Sequence, residues 1–162
     1  MDIDADLARI ALQEKSLHFP YFDAVTAWEV GVALKNEAKA RAASVAIDVS
    51  THAQQFFHHA SAGATPDNTE WVRRKRNTTF RFFRSSYAIG LELKRDGRTL
   101  ESKYGLGPDY MAHGGSFPIW IAGSICIGAV TVSGLPQRED HDLVTHTLAA
   151  FLKLNPEDLA LP

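Results

Sequence analysis

Apolar positions in the first third of the chain follow first a helical and then a strand spacing. The pattern predicts two helices, over about residues 3–15 and 23–40. Asp23 suits the start of the second helix because its carboxylate can cap free backbone N–H groups. Alternation of apolar and polar residues then predicts a hairpin of two strands, over residues 44–50 and 54–60.

The rest of the chain alternates between helical and strand patterns. The predicted elements are a long helix opened by a capping box at Asp67 and Glu70, a short helix from Ser86 to about Lys94, a short strand from Arg98, a hairpin of strands 117–122 and 125–133, and a final helix 138–152. Strands joined as hairpins, with helices between them, favour an α+β fold around an antiparallel sheet.

Composition indicates an ordinary globular protein. The 162 residues are 45% hydrophobic and carry 17 basic and 19 acidic side chains, for a net charge of −2. We expect a single domain over residues 1–162, with no whole-molecule field for nucleic acid and no membrane span. The single cysteine, Cys126, cannot form an intrachain disulfide, which favours the cytoplasm.

The basic run in the long predicted helix is the most informative segment. On a helical projection one face carries four arginines, namely Arg73, Arg74, Arg81 and Arg84. Lys75 falls inside the apolar arc, where an unpaired ammonium is costly. Either Lys75 extends along Trp71 and Phe82 to water, or it points into a pocket and, with Arg74 or Arg76, holds an anionic ligand.

Two glycines, Gly114 and Gly115, follow His113 directly before a predicted strand. Adjacent glycines allow backbone conformations closed to other residues and leave amides free to approach a ligand. His113 is therefore a candidate general base, hydrogen-bond donor, or haem or metal ligand. The alternative is a tight turn with a surface histidine.

A third group lies where the last predicted strand passes into the last helix. Asp140 and His141 fall in or near the first turn of that helix, where backbone N–H groups point outward. The alternative is an acidic residue at a helix start beside a hydrogen-bonded histidine. The seven histidines show no metal-ligand spacing, so we expect no metal site of the protein's own.

Taken together, these segments resemble the UPF0303 family, which is grouped with the haem-degrading, HbpS-like and GlcG-like proteins. The resemblance is carried by Asp67-Asn68, Trp71, Arg74-Lys75-Arg76, Ser85-Ser86-Tyr87, His113-Gly114-Gly115, Phe117-Pro118-Ile119, Val132-Ser133-Gly134-Leu135-Pro136 and Asp140-His141. It implies a profilin-like fold, a five-stranded antiparallel sheet flanked by helices, assembled into homo-oligomers from dimers to larger rings. Its motif positions make the following residues candidates for ligand binding: Lys75, Arg76, His113, Gly114, Gly115, Asp140 and His141.

The resemblance also implies a function. The first hypothesis is a cytoplasmic protein that binds or degrades haem, with Lys75 and Arg76 on the propionates and His113 on the iron. The second is a non-enzymatic oligomeric domain that binds a small anion or a protein partner. A hydrolase or transferase using His113 or His141 with Asp140 ranks last, because no nucleophile or cofactor motif accompanies these residues.

Overall fold

The computed structural model describes residues 2–162 and contains seven helices and five strands in that range. The helices are α1 Ile3–Ser16, α2 Ala24–Ala40, α3 Pro66–Phe82, α4 Ser86–Arg95, α5 Leu100–Tyr104, α6 Gln137–Phe151 and α7 Pro156–Leu159. The strands are β1 His18–Phe19, β2 Ala46–Thr51, β3 Gln55–Ala60, β4 Ser116–Ile121 and β5 Cys126–Ser133. Both predicted hairpins and the α+β class are confirmed.

The five strands form one sheet in the order β1-β4-β5-β2-β3. The pairs β4–β5, β5–β2 and β2–β3 are antiparallel, whereas β1 runs parallel to β4, with His18 opposite Trp120. The sheet is therefore mixed, and the expectation of a wholly antiparallel sheet was wrong in this detail. A strand of two residues is too short to show alternation, so only its long-range pairing identifies it.

The two faces of the sheet differ in polarity. The face covered by α2 and α6 is apolar and supplies the main core, including Ile47, Val49, Phe117, Val130 and Val132. The opposite face lies under α3 and carries buried polar side chains, namely Asp48, Ser50, Ser116, Thr131 and Ser133. Because buried polar groups need partners, α3 must bring polar side chains of its own to this layer.

The start of α3 differs from the prediction by two residues. The helix begins at Pro66, which suits a first turn because its missing N–H needs no partner there. The cap is Thr65, whose backbone N–H donates to Asn68 Oδ1 at 2.8 Å. The predicted pair of Asp67 and Glu70 therefore lies inside the helix, with Asp67 in its first turn, and is not the capping box.

The predicted strand at Arg98 was also wrong, because α5 follows there instead. The hydroxyl of Thr99 accepts from the Ser102 N–H at 3.1 Å, while the Thr99 N–H donates to Ser102 Oγ at 2.9 Å. This reciprocal cap favours a helical turn over an extended chain.

The far end of α3 breaks the predicted face of four arginines. Phe83 adopts a left-handed conformation, with φ of 53°, and ends the helix. Arg84 therefore leaves the helical projection and pairs with Glu14 and Glu92.

Within residues 2–162, none of the helices combines the length and the apolar character that crossing a membrane requires.

Candidate functional site

Lys75 of α3 meets Asp140 of α6 in a buried ion pair. Lys75 Nζ lies 2.7 Å from Asp140 Oδ2, and the two side chains are 3% and 1% exposed. Lys75 thus points into the molecule, so the interpretation that it extends to water was wrong. Burial lowers the pKa of Lys75 and raises the pKa of Asp140, while their mutual attraction opposes both shifts.

The pair also joins the strand–helix connection to α3. Asp140 accepts hydrogen bonds from the backbone N–H groups of Leu135, at 3.0 Å, and Gly134, at 3.4 Å. Lys75 Nζ donates in addition to the carbonyl of Val132 at 3.3 Å. The carboxylate predicted at a helix start therefore closes the turn between β5 and α6.

The diglycine segment packs directly against this pair. Gly115 has φ of 124°, which other residues rarely adopt, and a Cβ there would overlap the Val132 carbonyl and lie 3.0 Å from Lys75 Nζ. A Cβ on Gly114 would overlap the carbonyl of Gln137. Only glycine allows this close approach, which holds the preceding residue, His113, at the rim of the site.

His113 is exposed and stacks on Trp71, with ring centroids 5.3 Å apart and an interplanar angle of 27°. Neither of its ring nitrogens forms a hydrogen bond to another residue of the described chain. The protein packed around it lowers the pKa of His113, and the positive charges of Lys75 and Arg74 lower it further. The imidazole is thus neutral at neutral pH and has a free lone pair, as a metal ligand requires.

Two clefts meet at His113. The smaller, of about 210 Å³, lies beside Trp71, Lys75 and Asp140. The larger, of about 430 Å³, runs between α4 and the segment that follows α5. Its walls carry mainly apolar side chains, with two basic residues and one acidic residue, namely Leu93, Leu100, Leu106, Tyr110, Met111, Lys94, Arg98 and Glu101. Only the larger cleft reaches the roughly 300–1,000 Å³ typical of sites for cofactor-sized ligands.

The structure separates two of the predicted ligand-binding residues from the others. Arg76 lies on another side of α3, where its Nη1 bonds Asp48 Oδ2 at 2.9 Å. His141 faces the interior, and its Nε2 lies 2.8 Å from Gln13 Oε1. Burial lowers the pKa of His141 to about 3. Lys75, His113, Gly114, Gly115 and Asp140 are brought together.

The other charges of the basic run are largely paired within the chain. Arg73 binds Glu70 and Asp109, with N–O distances of 2.7 and 2.9 Å. Arg74 donates to the carbonyl of Pro108 at 2.6 Å and lies over the ring of Trp71. The run therefore offers less free positive charge than its composition indicates.

Sequence reasoning missed most of the larger cleft. Its lining residues come from α4, from α5 and from the irregular segment that follows α5. No local pattern links these segments, and the wrongly predicted strand at Arg98 falls among them. Across residues 2–162 the structure shows no group of three or more His, Cys, Asp or Glu side chains placed to hold a metal ion.

Comparison with known proteins gives consistent matches. Residues 22–149 match the family model described as haem-degrading protein, HbpS-like. A UPF0303 protein of Rhizobium etli is 56% identical over 161 residues, which cover 99% of this chain and 98% of that protein. Among solved structures, the Ybr137w protein superposes with a TM-score of 0.83 at 30% identity, covering 91% of this chain and 87% of its own. A PduOC–haem complex superposes with a TM-score of 0.65 at 21% identity, covering 75% and 88%.

Proposed function

Because the chain belongs to UPF0303 and to the HbpS-like family, we propose that it binds haem in the larger cleft, with His113 as the iron ligand. The observation that carries the proposal is the state of His113, an exposed, neutral imidazole whose nitrogens make no hydrogen bond within the described chain. The fold shared with the PduOC–haem complex supports it at the level of architecture.

The residues of the larger cleft fit the chemistry of haem. The porphyrin is a broad apolar plate, and the half-buried side chains of Leu100, Leu106 and Met111 offer an apolar wall. Its propionates need cations at the rim, where Lys94 and Arg98 are exposed. The smaller cleft fits less well because its cation, Lys75, is already neutralised by Asp140.

The chain's own residues would orient the ligand through His113. The Trp71 ring stacked on the imidazole limits its rotation, and the Gly114-Gly115 backbone that follows His113 packs closely against the Gln137 carbonyl and the buried ion pair. Bound haem supplies a redox-active iron centre to this surface. The lowered pKa of His113 keeps the imidazole nitrogen unprotonated. Above about pH 6.5 the iron therefore does not compete with a proton for this nitrogen.

The experiment is a haem titration of the purified protein followed in the Soret region. We expect a saturable shift in the wild type and its loss in His113→Ala. The matched control is His58→Ala, which removes an exposed histidine of β3 remote from the cleft and should leave the titration unchanged. A wild type without a saturable shift, or an equal loss in both variants, contradicts the proposal.

Haem degradation is the finer prediction and needs its own measurement. Incubation of the haem complex with a reductant in air-saturated buffer, where dioxygen is the oxidant that opens the porphyrin ring, should bleach the Soret band faster than the same mixture bleaches free haem. If haem binds saturably but the Soret band stays stable, the protein binds haem and does not degrade it. The alternative of a non-enzymatic domain for a small anion would be supported by anion binding that excludes haem.

A further inference from the structure

A basic cleft lies beside one edge of the sheet. It has a volume of about 450 Å³, is lined by the C-terminal half of α2, by the connection from α2 to β2 and by the end of β3, and shares no lining residue with the two clefts at His113. Its charged side chains are those of Lys35 and Lys39, and no acidic residue is among the described residues that line it. The half-buried imidazole of His59 lines the same space.

The protein itself does not neutralise the two lysines. Both are exposed, and neither ammonium forms an ion pair or a hydrogen bond with another residue of the described chain. Glu37, the acidic residue between them in sequence, is bound by Arg41, with 2.7 Å from Arg41 Nε to Glu37 Oε1. Like charges four residues apart on a helix repel each other. Negative groups placed beside Lys35 and Lys39 would therefore be attracted by both charges.

The backbone of β3 next to this cleft has unpaired hydrogen-bonding groups. The N–H of Ser61 donates to the carbonyl of Val45 at 3.0 Å, and the residue pairs of an antiparallel ladder are hydrogen bonded alternately. With the register of this hairpin, His59 also bonds to β2, whereas His58 and Ala60 direct their N–H and C=O groups outward. Because β3 is the last strand in the sheet, no strand within residues 2–162 pairs with this outer side.

The spacing of the lysines matches that of a strand added beside β3. Trp28, early in α2, packs against Phe57 of β3 with ring centroids 5.6 Å apart, whereas the two lysines, later in α2, line the cleft with His59. The helix and the strand therefore run in the same direction along this edge. Four helical residues, the separation of Lys35 and Lys39, rise about 6 Å, and alternate residues of a strand are about 6.7 Å apart.

We propose that the outer edge of β3 pairs with an extended segment of a protein partner that carries acidic side chains at alternate positions. The backbone of the segment would bond to His58 and Ala60, and its acidic side chains, all on the α2 face, would lie beside Lys35 and Lys39. A second copy of β3 has the wrong charge for this role. Residues 55–60 contain no acidic side chain, and pairing of two such edges would bring a second set of these lysines to the first.

The test is fluorescence anisotropy of the full chain with a labelled peptide of alternating valine and glutamate. We expect saturable binding that weakens as the salt concentration rises. A peptide of the same composition with consecutive glutamates should bind about threefold more weakly, because neighbouring residues of a strand face opposite sides of a sheet. A peptide of alternating valine and lysine should not bind.

Backbone methylation tests the edge pairing separately from charge. One peptide is methylated on the valine nitrogens and another on the glutamate nitrogens, so that each loses the N–H groups of one side of the strand. One of the two should lose binding and the other should keep it. Binding retained by both peptides would show that the β3 backbone takes no part and would overturn the proposal.

Two double variants test the lysines. Lys35→Glu/Lys39→Glu should weaken binding of the alternating valine–glutamate peptide about tenfold or more, because two attractions become two repulsions. The matched control is Lys15→Glu/Arg81→Glu, which makes the same change of net charge at exposed positions of α1 and α3 and should bind like the wild type. Equal affinity of the two double variants, or no saturable binding to the wild type, would overturn the proposal. An absence of peptide binding together with altered sedimentation of Lys35→Glu/Lys39→Glu would assign the edge to contacts between copies instead.

Discussion

Replacing Lys75 by Met tests whether the buried ion pair is the structural centre of the candidate site. The change keeps the length of the side chain but removes its charge, leaving Asp140, which is 1% exposed, without its cation. Removal of one partner of a buried pair costs about 3–5 kcal/mol, a large fraction of the roughly 5–15 kcal/mol that stabilises a typical domain. For a chain of this size the melting temperature should fall by about 6–20 °C.

The assay is urea unfolding followed by circular dichroism, with three comparisons. Lys35→Met removes an exposed lysine from the middle of α2 and should change stability by less than about 0.5 kcal/mol. The double variant Lys75→Met/Asp140→Asn removes the stranded charge while keeping an acceptor for the Leu135 N–H, so it should recover much of the loss. If Lys75→Met costs no more than Lys35→Met, or if the double variant is less stable than the sum of its single changes, the pair does not have this role.

Three further predictions concern other parts of the molecule. The pKa of His141 is lowered from 6.5 to about 3, so the folded state favours its neutral form, and stability present above about pH 6.5 is lost as the pH falls toward 3. Between pH 6 and pH 4, the free energy of unfolding measured in urea should therefore fall by about 2–3 kcal/mol more for the wild type than for His141→Asn. An equal fall in both proteins would contradict the effect of His141 on the pH dependence of stability. Gly115→Ala should lower the free energy of unfolding by about 2 kcal/mol or more in the same assay, because an alanine there would have φ of 124° and its Cβ would overlap the Val132 carbonyl. The control is Gly107→Ala, whose Cβ would meet open space and which should be nearly neutral. The predicted homo-oligomer is tested by Trp28→Glu, which places a charge on a surface of α2 where Val25 and Trp28 are 64% and 61% exposed. Analytical sedimentation of this variant should show smaller assemblies than the wild type forms. An unchanged distribution of assembly sizes would exclude this surface as the interface.

The sequence alone was sufficient for the features that depend on neighbouring residues. The apolar spacing located most helices and both hairpins because a helix or strand buries one face at a fixed period. The same periodicity identified Lys75 as a conflict, since a lysine in an apolar arc needs a partner, and the order of the motifs identified the family. The glycines after His113 were singled out because their backbone freedom is a local property.

Only the tertiary structure decided which distant groups meet. The partner of Lys75 lies 65 positions along the chain, and β1 pairs parallel to a strand about a hundred residues away, so no local period reports either contact. Arg76 follows Lys75 directly, yet the 100° turn between neighbouring helical residues directs one toward Asp140 and the other toward Asp48. The larger cleft likewise arises where α4 and the chain after α5 pack together. Periodicity therefore specified the elements, whereas packing between elements specified which charges are paired and which imidazole is left without a hydrogen bond.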